Sequence, residues 1–305
     1  MAGLLDHIAV CICTYKRPKL LLNLLEKLKV QQTGEQFTYS AVIVDNDKNR
    51  SAEQTIRQFS KTANFPVTYL CEPEQNISLA RNRAVDNASG DYIAFIDDDE
   101  FPVPDWLFNF RAVCLTYKVD GVLGPVTPYF ESPPPQWILD GKICQRPSYP
   151  TGTDMHWDHM RTGNVLFKGE LFKNPAHRFR AEYGRSGGED GDFFRRVCEG
   201  GAKFVWCQEA EVYEIITADR LAASYYLKRS MRIGGLNGEW ASREPVKMIR
   251  ILPRNLFWIA SLGLASPGTF FLKKHQRNRL WMKLAFEIGW FLGLWGRVFF
   301  RVRED

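Results

Sequence analysis

The sequence predicts an α/β protein with a mainly parallel sheet, followed by a helical C-terminal segment of different character. Three observations predict it. Short apolar runs alternate with helical patterns over the first hundred residues. Polar residues gather directly after each run. Residues 243–305 are basic and rich in Trp and Phe, unlike the rest of the chain.

His7 to Cys13, HIAVCIC, is the first run and ends at Thr14. A run that is apolar throughout reads as a strand covered on both faces, as in parallel sheets. Pro18 suits the first turn of a helix, and Leu20, Leu21, Leu24, Leu25 and Leu28 supply its buried stripe. Ser40 to Val44 is a second strand, closed by Asp45-Asn46-Asp47. Residues 52–61 read as helix and Val67 to Leu70 as a short strand. Ile77 to Asn87 is a helix stopped by Ser89-Gly90. Tyr92 to Ile96, YIAFI, is a fourth strand, ending in Asp97-Asp98-Asp99-Glu100. Strand and helix in this alternation imply right-handed βα units. Ligands bind beyond the carboxyl edge of such sheets.

Past residue 120 the pattern loosens. Pro133-Pro134-Pro135 is a rigid break. Gly187-Gly188-Glu189-Asp190 leads into a helix over Phe193 to Glu199. Phe204 to Cys207 and Glu211 to Ile216 read as late strands.

The chain has 305 residues, 45% hydrophobic and 25% charged, which excludes a disordered or fibrous protein. The net charge of +5 is unevenly placed. Residues 243–305 hold twelve Lys and Arg against four Asp and Glu, a net +8, and residues 1–242 carry −3. That asymmetry predicts an anionic partner for one end. Seven cysteines without a CxxC pair read as reduced structural thiols of a cytosolic protein. The start, MAGLLDHIAV, lacks a signal-peptide pattern.

Asn255 to Leu272 is uncharged but broken by Pro267-Gly268, and Leu284 to Phe300 contains Glu287 and Arg297. Basic residues flank both: Lys247, Arg250, Arg254, Lys273, Lys274, Arg277, Arg279, Arg301 and Arg303. Apolar aromatic faces beside Lys and Arg describe helices lying in a membrane interface. The alternatives are a helical cap on the sheet and a true span. The expected partner is therefore an anionic membrane surface, with no nucleic acid.

Three adjacent carboxylates, Asp97, Asp98 and Asp99, repel one another. A hard divalent cation, Mg²⁺ or Mn²⁺, would offset that repulsion, and a solvated acidic turn is the other reading. Alternate residues at a strand end point the same way, so Asp97 and Asp99 can face one ligand. Arg81, in NISLARN, offers a fork for phosphate oxygens or a surface charge. Tyr15 and Arg17 follow the first strand, where a base could stack, and Asp45 could accept from an N–H. Glu189-Asp190 fits a general base or a helix cap. His156 and His159, with Asp154 and Asp158 nearby, are a weaker metal candidate.

Together these segments resemble inverting family 2 glycosyltransferases with the GT-A fold. The matching stretches are CTYKRP (13–18), VIVDND (42–47), NISLARN (76–82), GDYIAFIDDDE (90–100), TGN (162–164) and GGED (187–190). Their spelling is most similar to exopolysaccharide glucosyltransferases of the succinoglycan type. The resemblance implies a glycosyltransferase domain over 1–235, with a nucleotide-binding half over about 1–100 and an acceptor half over 101–235. Residues 236–305 would then form the membrane-associating region. It implies a UDP-sugar donor, with glucose favoured by the subgroup resemblance, and a lipid-linked glycan acceptor. Thr14, Tyr15 and Asp45 would hold the base, and Arg81 would approach the nucleotide or diphosphate. Asp97 and Asp98 would lie near ribose and metal, and Asp99 would ligate Mg²⁺ or Mn²⁺. Asp190 would deprotonate the acceptor, supported by Glu189, and Asn164 would lie near donor sugar or acceptor. The enzyme would sit on the cytoplasmic face of the membrane. Many members carry a His near Glu214, which could replace it as an oxygen ligand. A non-catalytic nucleotide-sugar binder and a nucleotidyltransferase are the competing classes. Neither CTYKRP nor any other stretch after the first strand has the Gly-rich loop of a dinucleotide site.

Overall fold

The computed structural model describes residues 5–298, apart from the Lys247 side chain. Arg301 and Arg303, counted above with the basic tail, lie outside the described residues. Two compact units divide the chain: Met1–Tyr129 with Arg146–Ile215, and Phe130–Gln145 with Ile216–Asp305.

The first unit opens with the expected alternation: β1 (Asp6–Thr14), α1 (Pro18–Leu28), β2 (Phe37–Asp45), α2 (Glu53–Phe59), β3 (Val67–Cys71), α3 (Ile77–Asn87) and β4 (Tyr92–Ile96). Next come β5 (Glu100–Pro102), α4 (Trp106–Tyr117), β6 (Gly121–Leu123) and β7 (Val126–Tyr129). After α5 (Gln136–Gly141), which belongs to the second unit, follow β8 (Asn164–Lys168), α6 (Glu189–Glu199), β9 (Phe204–Trp206) and β10 (Val212–Ile215).

Seven strands form one sheet in the order β3-β2-β1-β4-β8-β6-β9, and β5, β10 and β7 form a smaller one. The first four strands are parallel, and β8 runs antiparallel to both its neighbours. The large sheet is buried on both faces, which is why its strands read as unbroken apolar runs. Ile8, Val10 and Ile12 share one core with the leucines of α1 and with Trp106 and Phe110 of α4. Cys11, Val44 and Phe95 share the other with Ala80 and Ala84 of α3 and Phe193 and Phe194 of α6.

The structure adds α4 and strands β5 to β8, which the sequence pattern does not announce. Glu100 and Pro102 in β5, Gly121 in β6, Pro128 in β7 and Asn164 and Lys168 in β8 break up the apolar run that marks the other strands. The place of β8 is set by long-range pairing, with Val165 opposite Phe95.

The chain winds outward from β1 through β2 to β3, then crosses to β4 on the other side of β1. That reversal opens a crevice at the carboxyl ends of β1 and β4, where open α/β sheets bind ligands.

The second unit is helical: α7 (Ala223–Ser242), α8 (Pro245–Ala265), a 3₁₀ turn at Pro267–Phe271, and α9 (Lys274–Gly293). Helices α7 and α9 meet at glycines. A Cβ on Gly234 would lie 2.0 Å from the Phe286 carbonyl oxygen, and one on Gly289 2.2 Å from that of Met231. Small residues allow backbones this close. No helix among the described residues is long and apolar enough to cross a membrane. Phe257, Leu264, Phe270 and Phe271 are all exposed, Phe271 at 94%.

Candidate active site

Strand β1 delivers Thr14, and the turn after it delivers Arg17 just before Pro18 starts α1. Strand β4, paired directly with β1, delivers the three aspartates. Thr14 Oγ1 donates to Asp98 Oδ2 at 2.7 Å, and Arg17 Nη1 reaches Asp98 Oδ1 at 3.2 Å and Asp99 Oδ2 at 3.3 Å. Asp98 therefore ties the ends of the two strands together. Burial raises its proton affinity, and Arg17 and Thr14 oppose that rise.

More acid lies behind it. Glu100 and Glu214 face each other across the antiparallel β5–β10 pair, and both are buried. Arg146 Nη2 donates to Glu214 Oε2 at 2.7 Å. Arg146 is partly exposed, and Glu214, Glu100 and Asp97 raise its proton affinity against the loss of hydration. Burial, then the charges of Asp97 and Asp98, push the Asp99 carboxyl up to about 7 against the pull of Arg17. Glu100 is pushed well up by burial and Asp97, with Arg146 opposing. The cluster thus gathers five carboxyl groups around two arginines, and burial with mutual repulsion raises the proton affinity of Asp98, Asp99 and Glu100.

The donors fit a hard divalent cation. All are oxygens, and Glu100 Oε1 is buried with no hydrogen-bond partner among the described residues. It lies beside Asp97: a Cβ on Gly163 would come 3.0 Å from both Asp97 Oδ2 and Glu100 Oε1. Among the described residues, no three carboxylate, imidazole or thiol groups already converge on one ion position. Arg17 takes up part of their acceptor capacity instead.

Asp190 and Glu189 occupy the first turn of α6. Gly187 and Gly188 both have positive φ, 90° and 97°, and so make the sharp approach that other residues resist. The helix begins four residues earlier than the apolar pattern suggests, because acidic side chains favour a helix N-terminus. Arg81 Nη1, from α3, donates to Glu189 Oε1 at 2.8 Å and to Asp190 Oδ1 at 2.7 Å. Thr162 Oγ1 donates to the same Asp190 oxygen at 2.7 Å. Burial opposes the charge on Arg81, but Asp190, Glu189 and Asp97 outweigh it.

Several expectations change in detail. Arg81 does not reach into the crevice as a free phosphate fork. Its side chain is 5% exposed and committed to Glu189 and Asp190. Asn164, expected near the donor sugar or acceptor, has its side-chain amide committed inside the core. It is 3% exposed and pinned inside the core, accepting from Trp106 Nε1 and donating to the carbonyls of Pro125 and Ala210. Those three bonds use its amide, so Asn164 anchors the start of β8. Asp45 is fully buried and accepts from Asp47 N, Ser51 Oγ, Ala52 N and Tyr69 Oη. A carboxylate has about four acceptor positions, and those of Asp45 are occupied in shaping its loop. Tyr15 stays half-exposed, with Lys16 Nζ 4.8 Å from its ring centroid. His156 and His159 both approach Asp158, at 2.5 and 3.6 Å, on an exposed turn.

Sequence reasoning missed Thr162, Glu100 and Arg146. Thr162 stood inside the TGN match, two residues from the one chosen. Arg146 carried no local signal, since its partner is 68 residues away.

Comparison with known proteins supplies the family and the fold. The family model described as "Glycosyl transferase family 2" matches residues 9–177. A succinoglycan biosynthesis protein, ExoM of Rhizobium meliloti (strain 1021), is 29% identical over 95% of this chain and 93% of its own. Among solved structures, the mannosyltransferase PcManGT from Pyrobaculum calidifontis, in complex with GDP-Man and Mn²⁺, matches with a TM-score of 0.63 at 17% identity, covering 97% of this chain and 89% of that one. S. aureus TarS 1-349 in complex with UDP matches at 0.55 and 16% identity, covering 95% and 90%. The structural likenesses show the fold. The family match spans more than half of the chain, and the protein belongs to glycosyl transferase family 2 and is a glycosyltransferase.

Proposed function

We propose that the chain transfers a hexose, glucose from UDP-glucose, to a lipid-linked glycan acceptor with inversion at the anomeric carbon. The carrying observation is the division of labour between two acidic groups. Asp97–Asp99 end β4 at the switch point, and Asp190 starts α6 with its own set of donors. In a single displacement the acceptor oxygen attacks C1 of the donor. Its proton passes to Asp190, and the electron pair of the breaking C1–O bond leaves on the diphosphate. Arg17 contributes positive charge on the side where the diphosphate departs. Tyr15 offers a half-exposed ring for the base. Asp97 and Asp99 would hold Mg²⁺ or Mn²⁺. Such a cation, when bound, stabilises the charge developing on the leaving diphosphate.

Support for a nucleotide sugar and a metal comes from the complexes named for the structural relatives, with UDP in one and GDP-Man with Mn²⁺ in the other. The name of the Rhizobium relative supports a place in exopolysaccharide synthesis. The second unit would hold the enzyme to the anionic cytoplasmic face of a membrane, where a lipid-linked acceptor resides. Exposed Phe257, Leu264, Phe270 and Phe271 beside Arg250, Arg254, Lys273 and Lys274 support that placement.

The test is a screen of nucleotide sugars with Mn²⁺, with Mg²⁺ and with chelator, reading release of the nucleoside diphosphate. The proposal expects metal-dependent release from UDP-glucose above other donors. Binding without release for every donor would refute it.

A further inference from the structure

We propose that Thr162 and Arg81 clamp one oxygen of Asp190, Oδ1, so that the other, Oδ2, receives the acceptor proton. The proposal rests on Asp190 being the base.

Both clamping bonds are 2.7 Å and both end on Oδ1. Their donors are fixed in place: Thr162 is 1% exposed and Arg81 4%. Asp190 itself is only half-buried, and no group among the described residues bonds its Oδ2. An oxygen that already accepts a charged and a neutral hydrogen bond is the weaker proton acceptor of the two. Oδ2 keeps its lone pairs for an incoming hydroxyl. When the proton arrives there, Oδ1 becomes carbonyl-like and still accepts from Thr162 and Arg81, so the clamp survives the step. The acceptor O–H bond breaks, an Oδ2–H bond forms, and the pair from the donor's C1–O bond leaves on the diphosphate.

The same segment sets the distance to the other carboxylates. Gly163 follows Thr162, and its missing side chain leaves room for Asp97 Oδ2 and Glu100 Oε1. Asn164 then pins the segment to Pro125 and Ala210. Thr162-Gly163-Asn164 is thus a spacer between the base and the end of β4, anchored at one end and touching both groups. Thr162 acts through Asp190 and is a positioning residue.

The experiment compares Thr162→Val, which keeps the shape and loses the hydroxyl, with Thr162→Ser, which keeps the hydroxyl. Turnover is read as UDP release from UDP-glucose with Mn²⁺ and a membrane-lipid extract as acceptor. Thr162→Val should lower kcat by roughly ten- to a hundredfold with KM for the donor changed less than about twofold. Thr162→Ser should stay within about threefold of the parent. A Thr162→Val enzyme with parental kcat, or a Thr162→Ser enzyme that falls equally far, overturns the clamp. Thr162→Ala gives the same readout should the valine variant fail to fold, and a thermal melt of each variant separates misfolding from lost turnover. Asp190→Asn is run beside them. If it is inactive while Thr162→Val is not, the clamp fails and the base stands. If Asp190→Asn turns over normally, the base assignment fails, and the clamp with it.

Discussion

Arg81 and Asp190 lie 109 residues apart in the chain and 2.7 Å apart in space. That pair joins α3 to α6, whose first turn carries the proposed base. Glu189 completes the pair, and neither its side chain nor that of Arg81 is more than 6% exposed.

Removing the guanidinium therefore strands two neighbouring carboxylates. Arg81→Met should destabilise the protein by about 3–5 kcal/mol, the usual cost of breaking a buried ion pair from one side. Urea unfolding followed by tryptophan fluorescence measures it. Arg81→Lys should fall in between, because the ammonium keeps the charge but its shorter stem cannot set a donor where Nη1 meets both Glu189 and Asp190. A loss below about 0.5 kcal/mol in Arg81→Met would show the pair to be incidental.

Asp99 predicts a pH dependence. Its carboxyl is pushed up to about 7 in the folded protein, against an ordinary value of 3.8. Between those values the folded state holds a proton that the unfolded chain has released. Stability of the metal-free protein should therefore fall as pH rises through that window and level off above it. The Asp99 contribution is about 1–3 kcal/mol after allowing for relaxation of a buried site. Asp99→Asn removes this titration and should be the more stable protein at pH 8 in chelator. It should also lose the stabilisation that Mn²⁺ gives the parent. Thermal melts across pH, with and without metal, check both statements.

Asn164 separates a structural role from a binding role. Asn164→Ala leaves Trp106 Nε1 and the Ala210 carbonyl unpaired in the core, while the Pro125 carbonyl keeps Val212 N. The expected loss is about 2–4 kcal/mol of stability, with donor affinity unchanged. Calorimetric titration with UDP checks the second half, and a large rise in Kd would return Asn164 to the donor site.

The exposed apolar residues of the second unit predict membrane binding. The double change Phe270→Ser with Phe271→Ser should reduce sedimentation with phosphatidylserine vesicles several-fold. High salt should weaken parental binding only in part, because insertion and charge both contribute. Undiminished binding by the double variant would place the contact elsewhere.

The parallel strands were legible because burial on both faces leaves an unbroken apolar run, as in YIAFI of β4. The aspartates were legible because they follow that run directly. Pairings decided across the fold left no such mark. Asp45 reads as a ligand-edge carboxylate, yet its oxygens are filled by a loop and by Tyr69, 24 residues on. Asn164 and Thr162 are two residues apart, and only the turn into β8 decides which of them meets Asp190. Arg146 finds Glu214 through the pairing of β10 with β5 and β7, which no local pattern encodes.

The central claim is that Asp190 takes the acceptor proton. The direct measurement is Asp190→Asn, which keeps the size and removes the base. Transfer should fall by about a thousandfold or more, while the Kd for UDP-glucose in Mn²⁺ stays within about threefold of the parent. An Asp190→Asn enzyme that transfers sugar at the parental rate would contradict the account.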